Sequence, residues 1–177
     1  MESNGTFDIP GKEERVSMKI RKATMADLAA VTAVEAACFP PAEAATEEQF
    51  RARLAVYGNH FLLLQHQDDV IGFIDGPVTA EPDLTDAMYD DASCHREDGA
   101  WQMIFGLNTL PAWRRRGCAG RLIEALKDDA RQEGRQGLVL TCKDRLVHYY
   151  AKFGFVNEGL SESSHGGAVW YQMRLTF

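Results

Sequence analysis

The chain predicts a single α/β domain in which one mixed β-sheet is covered by helices. Three observations carry this. Strand-like and helix-like periodicities alternate along the sequence, two strand-forming runs around residues 60–76 are close enough to form a hairpin, and a strand–helix–strand passage mid-chain requires a crossover connection. The 177 residues suit one domain with a sizeable core. The expected division is a flexible tail over residues 1–17, which are polar and broken by Gly5, Pro10 and Gly11, followed by the domain over 18–177.

The elements follow in order. Val16 to Arg21 alternates apolar and polar side chains, as a first strand does. Asp27 precedes Leu28, Val31, Val34 and Cys38, whose spacing buries one face of a helix that Pro40-Pro41 ends. Thr46 caps a second helix reaching about Val56, with Phe50 and Leu54 on its inner face. His60–His66 and Val70–Gly76 form the hairpin around Asp68-Asp69. An acidic excursion fills 79–99, with a short helix near Leu84–Tyr89. Ala100–Leu110 is a long strand carrying Trp101, Met103, Phe105 and Leu107 on one face. Leu122, Ile123, Leu126 and Ala130 mark the buried side of a helix from Cys118 to about Gln132, which Gly134 closes. Leu138–Thr141 is an apolar strand, Asp144 opens a helix reaching Lys152, and Ala168–Leu175 closes the sheet.

Composition narrows the function classes. A net charge of -7 and a pI of about 5.2 disfavour a general nucleic-acid or anionic-membrane binder. No apolar run approaches the roughly 20 residues of a membrane-spanning helix. The four cysteines form no CxxC pair and the N-terminus has no secretory apolar core, so a reduced cytoplasmic setting without a metal site is expected.

Chemistry concentrates where the long strand meets the following helix. Arg114-Arg115-Arg116-Gly117-Cys118-Ala119-Gly120 reads as a tight turn running into a helix N-terminus, where orphan N–H groups and the helix dipole favour an anion such as a pyrophosphate. The alternative is a basic surface turn. No GKS or GKT follows the glycines and no GxGxxG occurs, which excludes the P-loop and dinucleotide patterns. A second constellation is Tyr149-Tyr150-Ala151-Lys152-Phe153-Gly154-Phe155. Tyrosines there are ordinarily packing residues, yet a phenol also has the acidity to return a proton to a thiolate.

Leu107-Asn108-Thr109 followed by Pro111, Arg114-x-x-Gly117-x-Ala119, and Tyr150 through Phe155 together resemble the GNAT superfamily of N-acetyltransferases over Met18–Phe177. Leu140-Thr141-Cys142-Lys143-Asp144 and Trp170-Tyr171-x-Met173 are similar to its arylalkylamine branch. The resemblance implies acetyl-CoA as cosubstrate, held where the central sheet splays between the strands at 100–110 and 138–141. Leu107, Asn108 and Thr109 would meet the pantetheine arm and thioester, and Arg114 to Gly120 the pyrophosphate. Tyr150 would be the general acid for the leaving thiolate. Where vertebrate arylalkylamine enzymes place two histidines, this chain has Met103 and Phe105, so the base is unassigned among Glu35, Glu43, Asp75, His95 and a water chain. The expected reaction is direct transfer to a small primary amine, an arylalkylamine or polyamine, by a monomer or homodimer. Trp101, Phe105 and Phe61 are the expected apolar walls. The alternatives are acetylation of a protein N-terminus or lysine, and a non-catalytic CoA-binding module. Cys118 is read as a small filler rather than a nucleophile, and His165 as part of a turn.

Overall fold

The computed structural model describes residues 7–9 and 16–177. Among the described residues, ten strands form two five-stranded sheets, ordered β1-β2-β3-β4-β7 and β5-β6-β8-β10-β9. The first holds β1 (Phe7–Ile9), β2 (Val16–Lys22), β3 (Phe61–His66), β4 (Asp69–Asp75) and β7 (Gly106–Thr109). The second holds β5 (Val78–Thr79), β6 (Trp101–Ile104), β8 (Gly137–Cys142), β9 (Val156–Leu160) and β10 (Tyr171–Thr176). Pairing is antiparallel throughout except for β6 with β8, joined by the expected crossover. The five helices are α1 (Leu28–Cys38), α2 (Glu47–Tyr57), α3 (Asp86–Asp90), α4 (Cys118–Gln132) and α5 (Asp144–Ala151).

The first sheet is covered on both faces, and β3 shows why its sequence is a continuous apolar run. Phe61 and Leu63 pack with Val31, Val34, Phe50 and Tyr57 of α1 and α2, while Leu62 and Leu64 pack with Leu122, Ile123 and Leu126 of α4. Alternate side chains thus meet different helical layers, and no face is left for polar residues. At the start of α1, Asp27 receives both Arg21 Nη atoms at 2.9 and 2.8 Å and the Thr24 N–H at 2.8 Å, tying the helix to β2. The hydrogen bonds from Arg21 hold the Asp27 carboxyl below its ordinary pKa.

Three expectations change. Phe7–Ile9, inside the stretch expected to be a tail, pairs with β2; residues 1–6 and 10–15 lie outside the described residues. The single long strand over 100–110 is two strands, with a break at Phe105. The Phe105 N–H donates to Asp75 O at 2.7 Å while Asp75 is also the pairing partner of Gly106, so two residues face one. Across from this bulge, Gly76-Pro77 interrupts β4 and β5, and a Cβ at Gly76 would collide with the Met103 carbonyl. Finally, β9 was not anticipated: it is an exposed edge strand whose pattern of buried residues carries no period.

Candidate active site

The bulge sets the geometry of the site. Beyond it Leu110 donates to Ile71 O at 2.8 Å, so the N–H groups of Gly106, Asn108 and Leu110 face β4, and those of Leu107 and Thr109 turn the other way. They face no strand, because β6 stays with β8 only as far as Ile104 opposite Leu140, after which β7 and β8 diverge. A cavity of about 540 Å³ fills the splay. It runs from the start of α4, between β7 and β8, to the space under α1 and α2.

At the α4 end, Arg115 has φ 62° and Gly117, the N-cap, has φ 79°. The left-handed turn at Gly117 suits glycine and swings the chain into the helix. The first helical bond is from Arg121 N to Gly117 O. Among the described residues, the N–H groups of Arg115 through Gly120 make no well-formed hydrogen bond to a protein acceptor, an arrangement that suits an anion. Arg114, Arg115, Gly117, Cys118 and Ala119 line the cavity. Arg114 Nε donates to Thr109 O at 3.1 Å, while Arg116 lies over the Trp113 ring at 4.9 Å and Gly120 sits behind, where a Cβ would press on Phe153. The Cys118 thiol is buried beside Met18 Sδ and Trp113 O, and burial pushes its pKa up rather than down.

Midway, Tyr150 and Tyr149 of α5 line the cavity with Leu140, Thr141 and Cys142 of β8. Tyr150 is 8% exposed, and desolvation drives its pKa well above the ordinary phenol value, so the hydroxyl keeps its proton at neutral pH. Which of the paired tyrosines is the more enclosed, a matter periodicity left open, is thereby decided for Tyr150.

The far end holds charge that the sequence hid. Glu35 of α1, 5% exposed, lines the cavity, and desolvation together with the nearby Asp75 raises its pKa to about 8. Asp75 is fully buried; desolvation lifts it to about 6 against the opposing pull of Arg53. The Tyr57 hydroxyl donates to Asp75 Oδ2 at 3.4 Å. Asp75 Oδ1, both polar atoms of the Asn108 amide and Thr109 Oγ1 are buried without a protein partner. Such orphans in a native fold mark places where water or ligand completes the bonding. Asn108, expected among the cofactor contacts, therefore presents its side chain on the Glu35 side of β7.

Two loops cover this end. His165 Nε2 donates to Glu43 O at 2.9 Å, joining the α1–α2 loop to the β9–β10 loop, and Lys143 Nζ pairs with Glu43 Oε1 at 2.6 Å, joining it to the β8–α5 junction. Phe39, Tyr89, Phe105 and Trp170 supply aromatic walls, with Tyr89 stacked on His165 at 4.9 Å. Of the expected walls, only Phe105 is there. Phe61 is sealed in the core between α2 and the sheet, and Trp101 lies under Arg174, whose guanidinium is 4.6 Å from its ring.

Of the candidate bases, Glu35 and Glu43 line the cavity, Asp75 lies behind it and His95 is outside it. His95 belongs to a separate cluster with His60 and Glu97, three groups of metal-ligating type within 4.8 Å. The Val78 N–H donates to His95 Nδ1 at 3.0 Å, which leaves the proton on Nε2, 2.9 Å from Glu97 Oε2. That nitrogen is a donor to a carboxylate, and its lone pair is not available to a metal. Arg53 was missed altogether, although its position three residues after Phe50 places it on the apolar stripe of α2, where a charge is unexpected.

A family model described as an acetyltransferase (GNAT) domain matches residues 27–177. No curated protein matches the chain. Among solved structures, the loading GNATL domain of CurA from Lyngbya majuscula superposes with a TM-score of 0.78 at 16% identity, covering 90% of this chain and 97% of that one. The GphF GNAT-like decarboxylase in complex with isobutyryl-CoA gives 0.77 at 22% identity, covering 89% and 98%. Arabidopsis thaliana Naa50 in complex with the bisubstrate analogue CoA-Ac-MVNAL gives 0.72 at 16% identity, covering 92% and 100%. No helix among the described residues is long and apolar enough to cross a membrane. With the family model spanning most of the chain and the fold agreeing, the chain belongs to the GNAT acetyltransferases, enzymes that use acetyl-CoA as their acetyl donor.

Proposed function

We propose that the chain moves the acetyl group of acetyl-CoA to the nitrogen of a small primary amine with an aryl-bearing body. The contacts that tie the α1–α2 loop across the acceptor end carry this reading. A peptide needs a trough through which its chain can leave, whereas here the Glu43 latches to His165 and Lys143 roof the space between the aromatic walls. Those walls also favour an arylalkylamine over a polyamine. A second ammonium would need a second free carboxylate, whereas Asp75 is sealed behind the cavity beside Arg53 and Glu43 is already paired with Lys143.

The free N–H groups of Arg115 through Gly120 fit a pyrophosphate, with Arg114 at the rim. The outward N–H groups of Leu107 and Thr109 fit the amide-bearing pantetheine arm and the thioester carbonyl, where a donor stabilises the developing oxyanion. Glu35 is the base. The bound neutral amine attacks the thioester carbon, and as the C–N bond forms its N–H proton passes to Glu35. The C–S bond then breaks, and the thiolate takes the proton of the Tyr150 hydroxyl; exchange with solvent restores both groups. No covalent enzyme intermediate is required, consistent with the buried, unactivated thiols of Cys118 and Cys142. The four free cysteines suit a reducing, cytoplasmic setting.

Thiol release from acetyl-CoA, measured across arylalkylamines, polyamines and short peptides, tests the reading. Arylalkylamines are expected to give the highest kcat/KM. Peptides as the only acceptors would overturn it in favour of N-terminal or lysine acetylation. Tight CoA binding without turnover on any amine would favour a regulatory module.

A further inference from the structure

The acceptor end contains a cation that the transfer reaction does not use. Arg53 of α2 is 4% exposed, yet it lines the cavity. Its guanidinium lies against Phe105 and Phe50, 5.1 and 5.4 Å from their ring centres, which holds the position of its plane. Nη2 donates to Tyr89 O at 3.0 Å. The nearest approach to Asp75 is 3.9 Å from Nη1, close enough for attraction but too long for a hydrogen bond. A guanidinium carries five N–H donors, so most of these have no protein acceptor among the described residues.

A buried arginine left this incompletely bonded is costly unless something else accepts from it. The planar fork matches a carboxylate, which takes two parallel N–H bonds. Glu35 lines the same end of the cavity, near enough that the Arg53 charge offsets part of the rise in its pKa that burial causes. The Asn108 amide, 2% exposed, lines that end as well; it makes no well-formed hydrogen bond, although it is close enough to Glu35 to favour the ionised carboxylate. The arrangement offers a base for an amine, a fork for an acid, an amide able to give and accept, and aromatic walls for an apolar side chain.

We infer that the acceptor bears a carboxylate beside its amine: it is an amino acid with an aromatic or large apolar side chain, and Arg53 is the residue that selects it. This rests on the small-amine reading above and narrows it. The carboxylate docks on Arg53, which turns the amine toward Glu35 and the thioester. An amine without the acid leaves the Arg53 donors to water and loses that orientation.

The test uses the native enzyme with saturating acetyl-CoA and three acceptors sharing one body: phenylalanine, phenylalaninamide and phenethylamine. The expected result is a kcat/KM for phenylalanine at least about tenfold above both of the others. In Arg53→Lys, which keeps a buried charge near Asp75 but loses the fork, KM for phenylalanine is expected to rise by about tenfold or more, and the ratio of kcat/KM for phenylalanine to that for phenethylamine to fall by about the same factor. If that variant fails to fold, the three-acceptor comparison on the native enzyme decides. Phenethylamine or the amide at parity with phenylalanine would overturn the inference and leave the small-amine reading standing. Acetylation of peptides alone would overturn both.

Discussion

Tyr150→Phe is expected to lower kcat by about 10²–10⁴-fold, the range for removing a general acid, with little change in KM for acetyl-CoA. The hydroxyl donates to no protein acceptor among the described residues, and the ring keeps its edge contact with Phe155, 6.0 Å between centroids. The variant should therefore fold and melt like the parent. The thiolate leaving group needs a proton at the moment the C–S bond breaks. Burial keeps that proton on Tyr150 through the neutral range. Undiminished turnover in stopped-flow thiol release would remove Tyr150 from the chemistry and return it to packing.

Glu35→Gln is expected to lower kcat by about 10²-fold or more, and to flatten the pH profile. A base works only when ionised, and Glu35 ionises near about 8. The parental rate should rise through that region and level off above it, whereas the variant loses this limb. Stability should respond in the opposite sense. The folded pKa lies above the ordinary 4.5, so the unfolded chain releases the Glu35 proton first as pH rises. The stability contributed by the protonated carboxyl is complete below about pH 4.5 and is lost as pH climbs through about 8. Thermal melts of the parent should fall across this window more steeply than those of Glu35→Gln. Parallel melting curves, together with an unchanged pH–rate profile, would eliminate Glu35 as the base.

How much of this was legible in the sequence depended on whether the cause was local. The helix following Asp27, the capping box at Thr46 and the apolar side of α4 depend on residues within one or two turns, and each appears where its spacing placed it. The turn at Gly117 was legible for the same reason. The bulge at Phe105 was not, because period-two alternation continues through it and only pairing with Asp75 reveals the extra residue. Trp101 was misassigned in consequence. Trp101 and Phe105 look equivalent on one strand, but the break sends one under Arg174 and the other into the cavity. β9 and the strand at Phe7–Ile9 lie at sheet edges, where one-sided pairing leaves little mark on composition.

The proposed base shows the same limit. Glu35 sits on α1 one residue after Val34, and spacing alone makes it a border position. Its chemistry arises from Asp75 on β4, Arg53 on α2 and Asn108 on β7, three distant segments that only the folded chain brings around it. The replacement of the expected histidines by Met103 and Phe105 is then physically coherent. Met103 is wholly buried in the core against Val139, Leu84 and Met88, and the proposed proton acceptor, Glu35, enters from α1.

The most direct test of the central claim, that thioester and amine meet in the splay between β7 and β8 with Glu35 and Tyr150 on either side, is a crystal structure with CoA and an N-acetylated aryl amine. The account predicts the pyrophosphate on the N–H groups of Arg115 through Gly120, the CoA sulfur within hydrogen-bonding reach of the Tyr150 hydroxyl, and the amide nitrogen facing the Glu35 carboxyl. A sulfur remote from Tyr150, or an amide lying outside the roof formed by Glu43 and His165, would contradict it.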